Sequence, residues 1–268
     1  MNYFSIRKLH YKNQRKRHLQ INVDIDDWFY SPYSCLKARF FIELSALIVS
    51  FLQHTPIKPN FITLLFAGSA IFGGFCLSSG SENLIILGVV IFFTYAIFDW
   101  TDGLLAIVTK KTSHLGHILD SWGGLVSSFS FLIGIGMYLF NETQEIKFIY
   151  IIILIITIKA IDLKDFIYHY VMYDFYKSSK IKKKTKKKNS IDKKEENFSK
   201  SIVYIKNFFQ SFLDNRSRTV DTIGLIIIFE LYYGKIILTN YIYYLMLFKI
   251  IVLFAGGIYV SIYKNFAK

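Results

Sequence analysis

The stretch Asp99–Gly124, DWTDGLLAIVTKKTSHLGHILDSWGG, places three carboxylates, Asp99, Asp102 and Asp120, at the ends of two strongly apolar segments. The segment before it, Asn83 to Phe98, is almost wholly hydrophobic, and the segment after it, Leu125 to Phe140, is mostly so. A charged side chain in or near a bilayer core is costly, so such a residue reads as functional. Two aspartates three residues apart on a helix share one face and repel each other unless a cation sits between them. All-oxygen donors with water nearby favour a hard cation such as Mg²⁺ or Mn²⁺. The simpler alternative is that these aspartates cap helix ends at the membrane surface.

Working outward, the 268 residues are 53% hydrophobic and 18% aromatic, and the apolar residues come in long blocks. A helix needs roughly 20 apolar residues to cross a bilayer. The chain therefore reads as an all-α integral membrane protein with six transmembrane helices preceded by an amphipathic interfacial helix. The spans fall at about Asn60–Ser79, Asn83–Val108, Leu115–Phe140, Phe148–Ile161, Thr219–Tyr233 and Tyr241–Ile262. Ser69 with Gly73, and Gly124 with Ser128, are small-residue pairs that favour close helix packing. Glu230 and Lys249 lie within the last two spans and would pair or snorkel.

Residues 1–34 read as a basic, partly disordered cytoplasmic tail running into an aromatic interface cluster of Trp28, Phe29, Tyr30 and Tyr33. Residues 35–268 form the membrane domain. In Cys35–Gln53 the recurrence Phe40, Leu44, Leu47, Ile48, Phe51 fits a helix lying in the interface. Pro56 and Pro59 end that helix and open the next. Leu163–Tyr176 and Ser201–Leu213 read as further amphipathic pieces.

The net charge of +13 would suggest nucleic acid in a soluble protein, but no nucleic-acid partner is expected here. Lys177–Lys200 alone holds eleven lysines against Asp192, Glu195 and Glu196, which is +8 of the +13. This loop reads as disordered and able to touch anionic lipid. Lysines and arginines concentrate in the tail, around Lys110 and Lys111, in the lysine loop and at the carboxy terminus. Both termini are thus expected in the cytoplasm of a multi-pass protein, in the inner membrane if the source is bacterial. No secretory signal is expected before the first span, and Cys35 and Cys76 suit neither a disulfide framework nor a metal site.

Asp99-x-x-Asp102-Gly103-x-x-Ala106, then eight residues after position 107, Gly116-x-x-x-Asp120, resembles the signature of the CDP-alcohol phosphotransferases, class-I CDP-alcohol phosphatidyltransferases included. Pro59-Asn60-Phe61-Ile62-Thr63 is similar to that family's PN-x-x-T box. The resemblance implies six spans after an interfacial helix and transfer of a substituted phosphate group from a CDP-alcohol to an alcohol acceptor, with release of CMP. It implies a CDP-linked donor such as CDP-diacylglycerol, membrane lipid and a homodimer as partners, and Mg²⁺ or Mn²⁺ held by Asp99, Asp102 and Asp120. It further implies nucleotide lying against Gly103, Ala106 and Gly116, with Asn60 and Thr63 facing the same cavity. Two positions depart from the family pattern: Ile107 stands where arginine is expected, and Gly124 where the last aspartate, the expected general base, is. His117 is the nearest substitute base, three residues before Asp120. Arg216 and Arg218 could hold an acceptor phosphate by bidentate hydrogen bonds, as could Lys37 and Arg39. The alternative is a catalytically inactive protein of the same fold that binds nucleotide or lipid as a subunit.

Overall fold

The computed structural model describes residues 1–19, 32–161, 218–234 and 236–266, and every regular element among them is helical. The chain forms two compact units, Met1–Gly134 and Ile135–Lys268. Among the described residues, four helices are long and apolar enough to cross a bilayer: Pro59–Leu77, Glu82–Val108, Leu115–Thr143 and Leu238–Gly256. The expected fourth and fifth spans are described over 147–161 and Arg218–Tyr233, both shorter than the roughly 20 residues a crossing needs. The protein is thus an integral membrane protein with several spans. Trp28, Phe29 and Tyr30, the amphipathic pieces 163–176 and 201–213, the lysine loop and Arg216 lie outside the described residues.

The first unit contains α1 (Tyr3–Leu19), α2 (Pro32–Leu52), α3 (Pro59–Leu77), α4 (Glu82–Thr94), α5 (Ala96–Val108) and the first part of α6 (His114–Thr143). The reading of 1–22 as a loose tail is corrected here, because residues 3–19 form a helix that packs on α2. Its positions fall into two stripes. Ile6, His10 and Gln14, four apart, are buried. Tyr3, Arg7 and Tyr11, also four apart, converge on Glu43 of α2. The Tyr3 hydroxyl donates to Oε2 at 2.6 Å, Arg7 Nε donates to both oxygens at 2.7 Å, and the Tyr11 hydroxyl donates to Oε1 at 3.1 Å. The Arg7 guanidinium also lies 5.1 Å from the centroid of the Tyr11 ring. Tail composition concealed this, because a mostly polar helix is specified by its partners rather than by an apolar face.

The Arg7 hydrogen bond pushes the Glu43 carboxyl down to about 2 from its ordinary 4.5, against the opposing effect of burial and with further help from the Tyr3 and Tyr11 hydroxyls. A depressed carboxyl stabilises the fold fully above its unfolded value and loses that contribution as pH falls through the folded one. The wild-type protein should therefore lose thermal stability between pH 4.5 and pH 2 relative to Glu43→Gln. Parallel melting curves of the two proteins across that window that show no convergence would refute this. The Arg7–Glu43 pair is partly exposed, so the gain is modest.

Helix α2 carries apolar residues on both its exposed and its buried face. Leu36, Phe40, Leu47 and Phe51 are exposed on one face, while Cys35, Ala38, Ile42, Ala46 and Val49 are buried on another. Large apolar side chains turned outward and small ones turned inward suit a helix with lipid on its outer face. Pro59 then starts α3 at its first turn, where its missing N–H costs nothing.

Helix α3 is the hub of this unit, and glycines set its approaches. A Cβ at Gly73 would stand 2.9 Å from Ile91, and one at Gly88 would stand 2.9 Å from the Gly73 carbonyl. Gly74 meets the backbone of Ser130 on α6, Gly134 meets Gly74, and Gly123 lies under the Phe66 ring. Of the two expected small-residue pairs, the one with Gly73 makes a close approach and the one with Gly124 does not. Ser69 donates its hydroxyl to the Leu65 carbonyl of its own helix. A Cβ at Gly124 would meet nothing within 4 Å, and Gly123 makes the close approach instead.

The expected second span is not one unbroken helix. At Tyr95 the Phe98 N–H donates to the Tyr95 carbonyl at 3.1 Å, a tightened turn that separates α4 from α5. Tyr95 stacks on Phe66 with ring centroids 5.3 Å apart. Helix α5 ends in a paired cap. Lys111 N–H donates to the Ala106 carbonyl and Lys110 N–H to that of Ile107, with Lys110 in the left-handed region at φ 56°.

In the second unit, Gly136 lets α6 approach Ile152 and Tyr243, and Phe148 faces Tyr243 with centroids 6.4 Å apart. Glu230, expected from sequence to pair with Lys249 or to snorkel, has backbone partners that sequence reasoning did not foresee. Its Oε1 accepts from the N–H groups of Ile237, Leu238 and Thr239 at 2.9, 2.6 and 3.0 Å. A buried carboxylate thus caps the start of helix Leu238–Phe266, where the orphan N–H groups and the helix dipole both favour negative charge. Glu230→Ala should lower stability by about 1–3 kcal/mol, because three backbone donors, that of Thr239 buried, lose their acceptor. Glu230→Gln should retain part of that stability. Equal melting temperatures for Glu230→Ala and wild type would contradict the capping role.

Candidate carboxylate site

All the carboxylates of the Asp99–Asp120 stretch belong to the first unit. Asp99 lies in the first turn of α5 and is half-buried; Asp102, one turn on, is 5% exposed. Asp120 is half-buried on α6. Thr63 of α3, itself buried, donates its hydroxyl to Asp102 Oδ2 at 2.5 Å. This bond joins the PN-x-x-T segment to the D-x-x-D helix. It exists because Ile62 on α3 and Leu104 and Leu105 on α5 share one apolar core, which brings the two helices into register beside it.

A second junction lies at the start of α6. Ser113 caps this helix, its Oγ accepting the Gly116 N–H at 3.0 Å. A Cβ at Gly116 would stand 3.1 Å from both Asn60 Oδ1 and Ser113 Oγ. Asn60 and Gly116, assigned from sequence to one cavity, are therefore neighbours, and glycine keeps that space open. Gly103 is exposed and Ala106 half-buried. His117 is exposed, three residues before Asp120. Ile107 is 43% exposed, so no apolar packing requires isoleucine there.

The donor set, carboxylates with a threonine hydroxyl and an asparagine carbonyl at hand, has the chemistry that fits Mg²⁺ or Mn²⁺. Among the described residues, no group of three or more His, Cys, Asp or Glu side chains is gathered tightly enough to hold a metal as folded. Thr63 fixes one of the carboxylates, Asp102.

Arg218 opens helix Arg218–Tyr233 in the second unit. On α2, the Lys37 ammonium lies 5.3 Å from the centroid of the Phe41 ring, and Arg39 is exposed. Sequence reasoning missed the part α1 plays here. Its His10 ring meets Trp100, the residue after Asp99, edge-on at 5.8 Å. The four-residue spacing of Ile6, His10 and Gln14 was the available signal.

The fold and this site define a polytopic helical membrane protein with a carboxylate-bearing helix pinned to a PN-x-x-T segment. Residues 57–188, just under half of the chain, match the model of the CDP-alcohol phosphatidyltransferase family, and that segment is of this family. The match contains the PN-x-x-T segment and all three aspartates. Membership implies phosphotransfer from a CDP-alcohol in phospholipid biosynthesis, in a family that generally depends on divalent metal. No curated protein and no solved structure matches the chain.

Proposed function

We propose that this protein is a six-span membrane transferase that moves a substituted phosphate group from a CDP-alcohol to an alcohol acceptor, releasing CMP at the cytoplasmic face. The observation supporting this reading is the buried Thr63–Asp102 bond, which ties two separate sequence motifs into one site. Asp99, Asp102 and Asp120 would hold Mg²⁺ or Mn²⁺. The metal would supply neutralisation of charge developing on the transferring and leaving oxygens. Gly103, Ala106 and Gly116 leave room for the nucleotide along the helix backbones, with Asn60 and Thr63 beside it. Arg216 and Arg218 offer bidentate donors for a phosphate on the acceptor. His117, exposed beside Asp120, takes the role of proton acceptor that Gly124 does not fill. Assembly as a homodimer, with both termini in the cytoplasm, completes this reading.

Gly124 itself favours a second reading. Open space stands where the family base would be, as expected of an inactive homologue that still binds donor and serves a partner. CMP release separates the two. Purified protein is given Mn²⁺ or Mg²⁺, a panel of CDP-linked donors and mixed acceptors, with Asp120→Asn as control. Release that disappears in the control supports the transferase, and the productive pair names the substrates. Metal-dependent donor binding without release supports the inactive homologue.

A further inference from the structure

We infer that helix α1 is a working part of the carboxylate site and that His10 is a positioning residue for the Asp99–Asp102 turn, acting through Trp100. The inference rests on the transferase reading and extends it to a segment outside the family match, which begins at residue 57.

Two side chains of α1 bear on two positions of α5. The His10 ring, 2% exposed, meets Trp100 edge-on, with centroids 5.8 Å apart and planes at 86°. Ile6, one turn earlier, packs in the core that holds Leu104 and Leu105. Both pairs, Ile6 with His10 and Trp100 with Leu104, are four residues apart on their own helices, so each lies along one face. Trp100 follows Asp99 and Leu104 comes two after Asp102, so the positions of α5 that share packing with His10 and Ile6 lie on either side of the buried carboxylate. On another side Phe41 of α2 meets Trp100 at 5.6 Å and 64°. The indole is thus fixed between two ring edges from two helices. Edge-to-face pairs of this kind prefer defined geometry as well as apolar burial.

The register of α1 is fixed independently by Tyr3, Arg7 and Tyr11 on Glu43. An interface serving stability alone would favour aliphatic groups, since burying an imidazole and the Gln14 amide carries a desolvation cost. Holding a tryptophan at a set angle is a task for a flat, rigid ring. Displacing it rotates the turn that presents Asp99 and Asp102, and these must meet one metal within a few tenths of an ångström.

The test uses the full chain in lipid nanodiscs and two readouts. One is Mn²⁺ binding followed by electron paramagnetic resonance, which needs no turnover. The other is the Mn²⁺ concentration that gives half-maximal CMP release. His10→Ala should raise both by about tenfold while leaving the acceptor KM unchanged, and His10→Phe should stay within about twofold of wild type. Trp100→Phe should move both in the same direction as His10→Ala, and it carries the test if His10→Ala does not fold. The inference is overturned if His10→Ala and Trp100→Phe melt earlier yet keep the wild-type Mn²⁺ dependence. If wild type binds no Mn²⁺, or Asp120→Asn binds it as well as wild type, the transferase reading fails first and this inference fails with it.

Discussion

Gly124→Asp is expected to raise CMP release by about 10²-fold, within the range a positioned general base contributes. The structure makes the substitution feasible, because a Cβ at Gly124 meets nothing within 4 Å. The new carboxyl would lie one turn beyond Asp120 on the same helix, so it shares that face. Adding Ile107→Arg should raise release further. Ile107 is 43% exposed, so its replacement leaves no cavity, and an arginine at that position of α5 supplies donors for a phosphate. Each variant is compared with wild type at saturating Mn²⁺ and donor. A fall in activity on Gly124→Asp would mean that the site has been rebuilt around another proton acceptor, and His117→Ala should then abolish what remains. An absence of activity in all variants would favour the inactive homologue.

Asp102→Asn should lower CMP release by about 10³-fold, since metal stabilisation of developing charge is worth several kcal/mol. Asparagine keeps the shape of aspartate and can still accept the Thr63 hydroxyl, so the fold should survive. The loss would then report on charge. Thr63→Val removes the donor 2.5 Å from Asp102 and leaves a buried carboxylate oxygen short of a partner. It should weaken Mn²⁺ dependence by about 10–100-fold, and Thr63→Ser should recover most of it. If Asp102→Asn retains wild-type turnover, Asp102 is a structural carboxylate and the metal assignment falls.

The carboxylate motif was legible because its chemistry is written in spacing. Asp99, Asp102 and Asp120 identify themselves by their positions at the ends of apolar segments, and Pro59–Thr63 by its place at the start of another. Helical periodicity alone places Asp99 and Asp102 on one face. The apolar blocks announced a membrane protein for a similar reason, since a bilayer requires length and hydrophobicity that any reading of the chain registers.

Partner choice could not be read from local pattern. Glu230, in an apolar span, was expected to seek a cation or water, and it instead caps a helix that begins eight residues later in the chain. Which glycine makes a close approach depends on where two axes cross, so Gly123 rather than Gly124 lies under Phe66. Helix α1 lacks an apolar face strong enough to declare itself; Glu43 and the indole of Trp100 give it a place to dock. Chain chemistry thus determined the membrane class and the spacing of the carboxylates, because these are properties of single residues and short spacings. The tertiary structure alone decided that Thr63 holds Asp102 and that His10 of the amino-terminal helix packs against Trp100, because both depend on segments that meet only after the helices pack.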